Sequence, residues 1–308
     1  MSLRIVFLGD IVGGPGCKAV SQLVPAIRER WEPDLVIANA ENAANGTGLT
    51  PEIYKKLCAR GIDAFTMGDH VYKKKQIVQT LQAESNIIRP ANLSGGASGK
   101  RWMCVRPKSE DGQEKPGTPR VAGQPGVPGG PGEPGVYVLT VLGRIFMNMP
   151  ANDPFATVDG ILDELPERDP IVIVEVHAEA TSEKIAMGWH LNGRVAAVVG
   201  THTHTPTADA RILPTQVDGT GTPHVGPGGT AYISDLGMTG PHDSVLGRRA
   251  DRVVSHMTTN MPFPFDVAEG NPRVQGVVID IDTDSKKATA IERIDLAADV
   301  TQTPFANG

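Results

Sequence analysis

Cysteine is scarce in this chain, with Cys17, Cys58 and Cys104 in 308 residues and no CxxC pair among them. Three isolated thiols argue against a disulfide framework and a thiolate zinc site, and they suit a reducing compartment. Aromatic residues make up only 5%, and no apolar run approaches the ~18–20 residues of a membrane span. The N-terminus, Met1 to Asp10, reaches an aspartate after the short apolar run Ile5-Val6-Phe7-Leu8 and does not read as a secretory signal, so none is expected. A cytoplasmic protein without membrane attachment is expected. Positive charge is not in excess either, since 29 Lys and Arg against 35 Asp and Glu leave a net charge of −6. No long nucleic acid partner is expected, while a small phosphate ligand is compatible with that balance. The chain has no GxSxG elbow, GxxxxGK[ST] loop or GxGxxG fingerprint. The stretch Gly13-Gly14-Pro15-Gly16-Cys17-Lys18 reads as a turn and helix start.

Apolar residues make up 40% of the chain, enough to bury a core. Short Val/Ile-rich runs predict strands at Ile5 to Leu8, Leu35 to Ala38, Ala64 to Met67, Trp102 to Val105, Val136 to Leu142, Ile171 to Val176, Val195 to Val199 and Thr230 to Ile233. Several are apolar at successive positions, which suits strands buried on both faces. Amphipathic stretches predict helices over Lys18 to Trp31, Pro51 to Arg60 and Val71 to Leu81, with Thr50-Pro51 as an N-cap and first-turn pair. Thr181 to Lys184 reads as another helix start, capped by Thr181 or Ser182. Gly276 to Asp282 and Ala288 to Ile294 predict a closing hairpin. Alternating elements early and strand-rich sequence later predict an α/β sandwich in one domain spanning 1–308.

Two segments break the pattern. Pro107 to Gly135 holds 7 prolines and 8 glycines in 29 residues and reads as a solvated, polyproline-like insertion. Thr215 to Gly229 is a Gly/Thr/Pro-rich loop insertion carrying His224.

The chemistry lies in what terminates the strands. Ile5 to Gly9 ends in Asp10, and Leu35 to Ala38 runs into Asn39-Ala40-Glu41-Asn42. Ala64 to Gly68 ends in Asp69-His70, Ile171 to Val176 in His177, and Val195 to Gly200 in Thr201-His202-Thr203-His204. Functional groups collect at the carboxyl ends of strands in such sheets, and these are oxygen and nitrogen ligands for borderline divalent metals. Each feature has a plainer reading alone: an aspartate after a strand forms turns, and a buried histidine can serve the core. Independent strand ends carrying the same chemistry favour a metal site. His190, His224, His242 and His256 lack partner motifs and read as surface or structural residues. Lys73-Lys74-Lys75 and Arg248-Arg249 read as solvated faces.

Gly9-Asp10-Ile-Val-Gly13, Asn39-Ala-Glu41-Asn42-Ala43, Met67-Gly68-Asp69-His70, His177-Ala-Glu179-Ala-Thr-Ser-Glu183-Lys184 and Gly200-Thr-His202-Thr-His204 together resemble the calcineurin-like metallophosphoesterases, nearest their YmdB-type branch. The similarity extends to Ala208 to Pro214 and Asp235 to Gly240. It implies an αββα sandwich of two mixed sheets flanked by helices, holding two divalent transition-metal ions, iron or manganese. Asp10, Asn42 and His204 would hold one ion, and Asp69, His177 and His202 the other, with Glu41 bridging. His70 would be the proton donor. Two cations clamp a phosphodiester and neutralise its developing charge, and a histidine titrates near working pH to protonate the leaving oxygen.

One departure stands out: the family has Asn-His where this chain has Asp69-His70, and Thr-Trp-Asp where it has Val71-Tyr72-Lys73. The expected function is hydrolysis of a small phosphodiester, with a cyclic nucleotide such as 2′,3′-cyclic AMP favoured by the resemblance. A metal-binding regulatory or scaffolding protein with little turnover is the alternative, motivated by Asp69 and the Pro/Gly segment. A metal-dependent amidohydrolase would also use His202-Thr-His204, but that motif normally opens a barrel near its N-terminus. Base preference and homo-oligomer formation are left open.

Overall fold

A computed structural model describes residues 2–107, 135–167, 169–214, 216–217, 223–224 and 229–298. The expected Pro/Gly-rich insertion therefore lies outside the described residues apart from its ends, as does most of the second loop insertion. In chain order the elements begin β1 (Ser2–Leu8), β2 (Asp10–Ile11), α1 (Gly13–Trp31), β3 (Leu35–Asn39), α2 (Pro51–Ala59), β4 (Ala64–Thr66) and α3 (Ile77–Ala83). They continue with β5 (Trp102–Val105), β6 (Val136–Leu142), α4 (Pro154–Glu164), β7 (Ile171–His177), α5 (Thr181–Leu191) and β8 (Ala197–Thr201). Next are β9 (Arg211–Ile212), β10 (Gln216–Val217), β11 (Pro223–His224), β12 (Ala231–Ile233) and β13 (Met238–Pro241). The last are α6 (Ala250–Thr259), β14 (Pro272–Asp282) and β15 (Lys287–Ala297).

Two mixed sheets result. The first runs β2-β13-β14-β1-β3-β4, with β15 also on β14, and the second runs β5-β6-β7-β8-β12-β9. In the first, β1, β3 and β4 are parallel while β14 runs against β1. In the second, β6, β7, β8 and β12 are parallel. The parallel strands reach the site with their carboxyl ends, where side chains have no further strand to pack on.

Successive apolar residues in β1 serve different layers. Ile5 and Phe7 face the second sheet, meeting a core that includes Val138, Ile173, Val199 and Ile233. Val6 and Leu8 face outward against Val20, Val24 and Ile27 of α1 and Leu57 of α2. The second sheet repeats the arrangement, with Leu139, Val174 and Val198 against Val158 and Ile161 of α4 and Met187 and Leu191 of α5. Burial on both faces explains the near-continuous Val/Ile runs, and the order helix–sheet–sheet–helix is the expected αββα sandwich.

Local signals explain most boundaries. Thr50 Oγ1 accepts the Ile53 amide at 3.3 Å, capping α2 as expected. Helix α4 uses the same device, Asp153 accepting from Phe155 N at 2.8 Å ahead of Pro154. Three expectations are corrected. Helix α1 starts at Gly13, ahead of Lys18, because a proline in the first turn removes no needed amide donor. Helix α3 covers only Ile77–Ala83, because residues 68–76 are drawn into successive turns, including Lys73 N to His70 O at 3.0 Å, while Glu41 holds the His70 amide. Helix α5 has Ala180 at its N-cap with no side-chain cap. Its Glu183 instead accepts from the amides of Arg144 and Ile145. The closing hairpin forms, longer than expected, as β14 and β15. Among the described residues no helix is long and apolar enough to cross a membrane.

Candidate metal centre

The residues expected at the site come together from both sheets. Asp10 opens β2 just past β1, Glu41 and Asn42 follow β3, and Asp69 and His70 follow β4. From the second sheet, His177 is the last residue of β7, and His202 and His204 follow β8. One ligand atom each from Glu41, Asp69, His177 and His202 lies within 4.8 Å of the others, enough to hold a metal ion. His177 Nε2 is 3.1 Å from Asp69 Oδ1 and 3.4 Å from Glu41 Oε1, and His202 Nδ1 is 3.4 Å from Asp69 Oδ1. This group contains three ligands of one expected ion and the expected bridging glutamate.

The other expected set is looser and meets Glu41 through Asn42. Asn42 Nδ2 is 3.1 Å from both Glu41 Oε1 and His204 Nε2. Asp10 Oδ2 accepts the His202 amide at 3.2 Å, while its fully buried Oδ1 has no hydrogen-bond partner. A buried carboxylate oxygen without a partner is costly, and a cation would satisfy it. His70 stands at the rim, one-quarter exposed, with Nδ1 2.7 Å from Asn42 Oδ1 and Nε2 3.7 Å from Asp69 Oδ2. Close approach of the ligands requires glycine at 68, where a Cβ would fall 2.2 Å from Glu41 Oε2 and 2.3 Å from His177 Nε2.

The three histidines also fit a metal by their outer hydrogen bonds, since ligand imidazoles usually donate their second N–H to a fixed acceptor. His204 Nδ1 faces the Leu246 carbonyl at 3.1 Å, freeing Nε2 for the site. His202 Nε2 faces Glu179 Oε2 at 3.4 Å, freeing Nδ1. His177 is fixed by a deeper chain. Thr201 Oγ1 donates its one proton to Glu175 Oε1 at 2.7 Å, so it accepts from His177 Nδ1 at 2.9 Å. Asn39 Nδ2 and Thr140 Oγ1 supply Glu175 with two further donors at 2.7 Å. His177 Nε2 is thereby turned toward the carboxylates.

The electrostatics are those of an acid-rich pocket. Burial pushes the Asp10 carboxyl up to about 7 despite the opposing influence of His177. Burial would raise Glu41 and Asp69 too, but the charge and hydrogen bonds of His177, with His70 on Glu41 and His202 on Asp69, hold both well below the usual range. Burial works against the charged form of His177, yet Glu41 and Asp69 outweigh it and raise the group well above an ordinary imidazole. Burial is likewise outweighed at His70, which Glu41 and then Asp69 raise. At His204 burial prevails and lowers the group, keeping it neutral. A proton on His177 thus occupies the place that a divalent cation would take.

Several supporting roles escaped the sequence reading: Glu175 and Thr140 beneath His177 were not singled out, and Thr201, Lys184 and Asp235 appeared in motifs without a role, although all five are buried. Glu175 left a signal, as an acid inside the apolar run Ile171 to Val176. Arg248 corrects another expectation. It is no solvated residue, since its guanidinium bonds the carbonyls of Asn45, Gly46 and Phe265 at 2.6–3.2 Å, tying the loop after β3 to the chain on both sides of α6.

Two mixed sheets packed face to face, with acids, an amide and histidines gathered at the strand ends of both, define an enzyme of the metallophosphoesterase class. The chain belongs to the YmdB-like protein family, whose sequence model matches residues 6–115 and 127–294. It is similar to a 2′,3′-cyclic-nucleotide 2′-phosphodiesterase of Bacillus subtilis (strain 168), 41% identical over 292 residues that cover 95% of this chain and 96% of that protein. A putative phosphatase/phosphodiesterase of Mycoplasma genitalium is 29% identical, with 97% and 94% covered. Among solved structures, a hypothetical protein of Thermus thermophilus superposes with a TM-score of 0.77 at 34% identity, covering 96% of this chain and 99% of that one. A phosphatase of Mycoplasma pneumoniae gives a TM-score of 0.79 at 26% identity, with 96% and 94% covered.

Proposed function

We infer that this protein is a dinuclear metal-dependent phosphodiesterase acting on 2′,3′-cyclic nucleotides, working as a single domain in the cytoplasm. The observation that carries the reading is the convergence of Glu41, Asp69, His177 and His202 on one point from four separate strand ends. The printed name of the Bacillus subtilis relative supports the substrate class. Asp10, Asn42 and His204 are the second ligand group, with Glu41 between the two. Three imidazoles among carboxylates favour iron or manganese over magnesium.

When bound, the ions supply charge neutralisation of the phosphoryl oxygens and activation of water. The remaining tasks fall to this chain's own groups. Glu41 anchors the His70 amide at 3.0 Å through Oε2, and its Oε1 lies 3.2 Å from His70 Nδ1. That leaves Nε2–H, 3.7 Å from Asp69 Oδ2, to protonate the departing ribose oxygen. Glu41 and then Asp69 raise the His70 pKa against burial, the direction that favours a proton donor. Glu175, through Thr201, keeps the His177 lone pair directed at the carboxylates.

The test is reconstitution of the metal-stripped protein with Mn²⁺ or Fe²⁺ and measurement of 2′,3′-cyclic AMP ring opening to a monophosphate. Metal-dependent turnover lost in His204→Ala and Asp10→Asn, together with lost metal, is the expected result. Tight metal uptake without turnover on any phosphodiester would favour the alternative of a metal-binding regulatory protein, which the Asp69 departure motivates.

A further inference from the structure

His202 and His204 both stand in left-handed backbone, with φ of 93° and 60°. Side-chain-bearing residues rarely adopt that conformation unless their surroundings impose it. The residue between them shows what imposes it. Thr203 gives Asp235 Oδ2 two hydrogen bonds, from its amide at 3.2 Å and from its hydroxyl at 2.7 Å. The same oxygen receives Lys184 Nζ at 2.6 Å, and Oδ1 accepts the Gly237 amide at 2.8 Å. Lys184 and Asp235 are 1% and 2% exposed at their side chains.

The neighbouring backbone is shaped around this pair. A Cβ on Gly200 would lie 1.7 Å from the Ser234 carbonyl oxygen and 2.9 Å from Lys184 Cδ, so only glycine there lets the end of β8 meet both. The Leu236 amide bonds the Gly200 carbonyl at 2.8 Å, and the Asp235 amide donates to Thr207 Oγ1 at 2.9 Å, which fixes the aspartate from its own backbone. A buried ion pair is a weak source of net stability, because desolvation offsets most of the attraction. What it does supply is an acceptor fixed in space.

We propose that Lys184 and Asp235 are positioning residues for the metal site, acting through Thr203 to hold His202 and His204 in their left-handed conformations. The inference rests on the reading that these two histidines are ligands, one for each ion. Neither Lys184 nor Asp235 is itself one of the expected ligands; each acts from behind the turn that carries them. Since one clamp serves both histidines, releasing it should loosen both ions together.

The test measures Mn²⁺ stoichiometry and dissociation constants, by equilibrium dialysis and electron paramagnetic resonance, alongside the melting temperature of the metal-free protein. Thr203→Val removes one bond to Asp235 without changing side-chain size, Thr203→Ser retains it, and Asp235→Asn removes the charge. Thr203→Val and Asp235→Asn should each weaken both Mn²⁺ sites by roughly 10–100-fold, the range for outer-shell partners, with Thr203→Ser close to the parent. A purely structural role would lower the metal-free melting temperature and leave affinity within about twofold of the parent, overturning the proposal. If Asp235→Asn does not fold, Thr203→Val against Thr203→Ser decides it. A parent protein that takes up no Mn²⁺ would overturn the ligand reading itself, and this inference with it.

Discussion

Thr201→Val is the sharpest probe of how the fold prepares His177. The substitution keeps shape and burial but removes an oxygen that accepts from His177 Nδ1 at 2.9 Å and donates to Glu175 at 2.7 Å. Losing a hydrogen bond to a charged acceptor costs about 1.5–3 kcal/mol, and stranding the buried imidazole N–H costs about 1–3 kcal/mol more. The added methyl returns roughly 0.8 kcal/mol. A net loss of about 2–5 kcal/mol follows, a large part of the ~5–15 kcal/mol typical of a folded domain. Metal affinity should fall by about 10–100-fold, because His177 loses the acceptor that directs its lone pair. Urea unfolding of the metal-free protein and Mn²⁺ titration of the folded protein read the two effects separately. Thr201→Ser keeps the hydroxyl and should remain near the parent in Mn²⁺ affinity. Equal affinity losses in Val and Ser variants, or a Val variant with parental stability and affinity, would refute the relay.

Three further outcomes are expected. His70→Ala should retain metal yet lose roughly 10²–10⁴-fold in turnover of an alkoxide-leaving substrate, with a much smaller loss on a nitrophenyl ester; equal losses on both would refute its role as acid. Asp69→Asn removes one negative charge from the ligand shell, leaving bound cations with more net positive charge. It should need more Mn²⁺, turn over faster at saturation and reach half-maximal rate at lower pH, and slower turnover under every metal condition would show that Asp69 is already matched to its setting. The metal-free protein should lose stability as pH rises through neutrality. His177 and His70 have folded pKa values raised above 6.5, so their contribution is full below that value and vanishes as pH passes the folded pKa. Asp10, raised from 3.8 to about 7, acts in the same direction. Glu41 and Asp69, held low, contribute above their unfolded values and are lost only in strong acid. Melting temperatures taken with chelator on the acid and alkaline sides of neutrality should decline toward the alkaline end, with Mn²⁺ removing the decline; a flat metal-free profile would contradict these assignments.

Much of this protein was determined by short-range sequence. Runs such as Ile171 to Val176 specify strands buried on both faces, and a polar residue ending such a run lands at a sheet edge whatever the wider topology. That is why the polar residues at five strand ends were legible as candidates before any fold was known, and the family resemblance then selected Asp10, Glu41, Asn42, Asp69, His177, His202 and His204 from among them. Thr50-Pro51 marked a helix start for the same local reason, whereas the like pair Asp153-Pro154, which caps α4, was not read from the sequence. Tertiary structure decided what local pattern does not encode. Residues 71–76 have helical amphipathicity, yet Glu41 holds the chain just ahead of them in turns, so the helix waits until Ile77. The direction of each imidazole depends on acceptors far away in sequence: Thr201 for His177, Leu246 for His204, and Glu179 for His202. Likewise the left-handed turn at His202 and His204 is held by a lysine on one helix and an aspartate beyond another strand. Which residues bear the chemistry follows from identity and spacing; which atom of each faces the site follows from hydrogen bonds that form only once neighbouring strands and the loops after them are brought together.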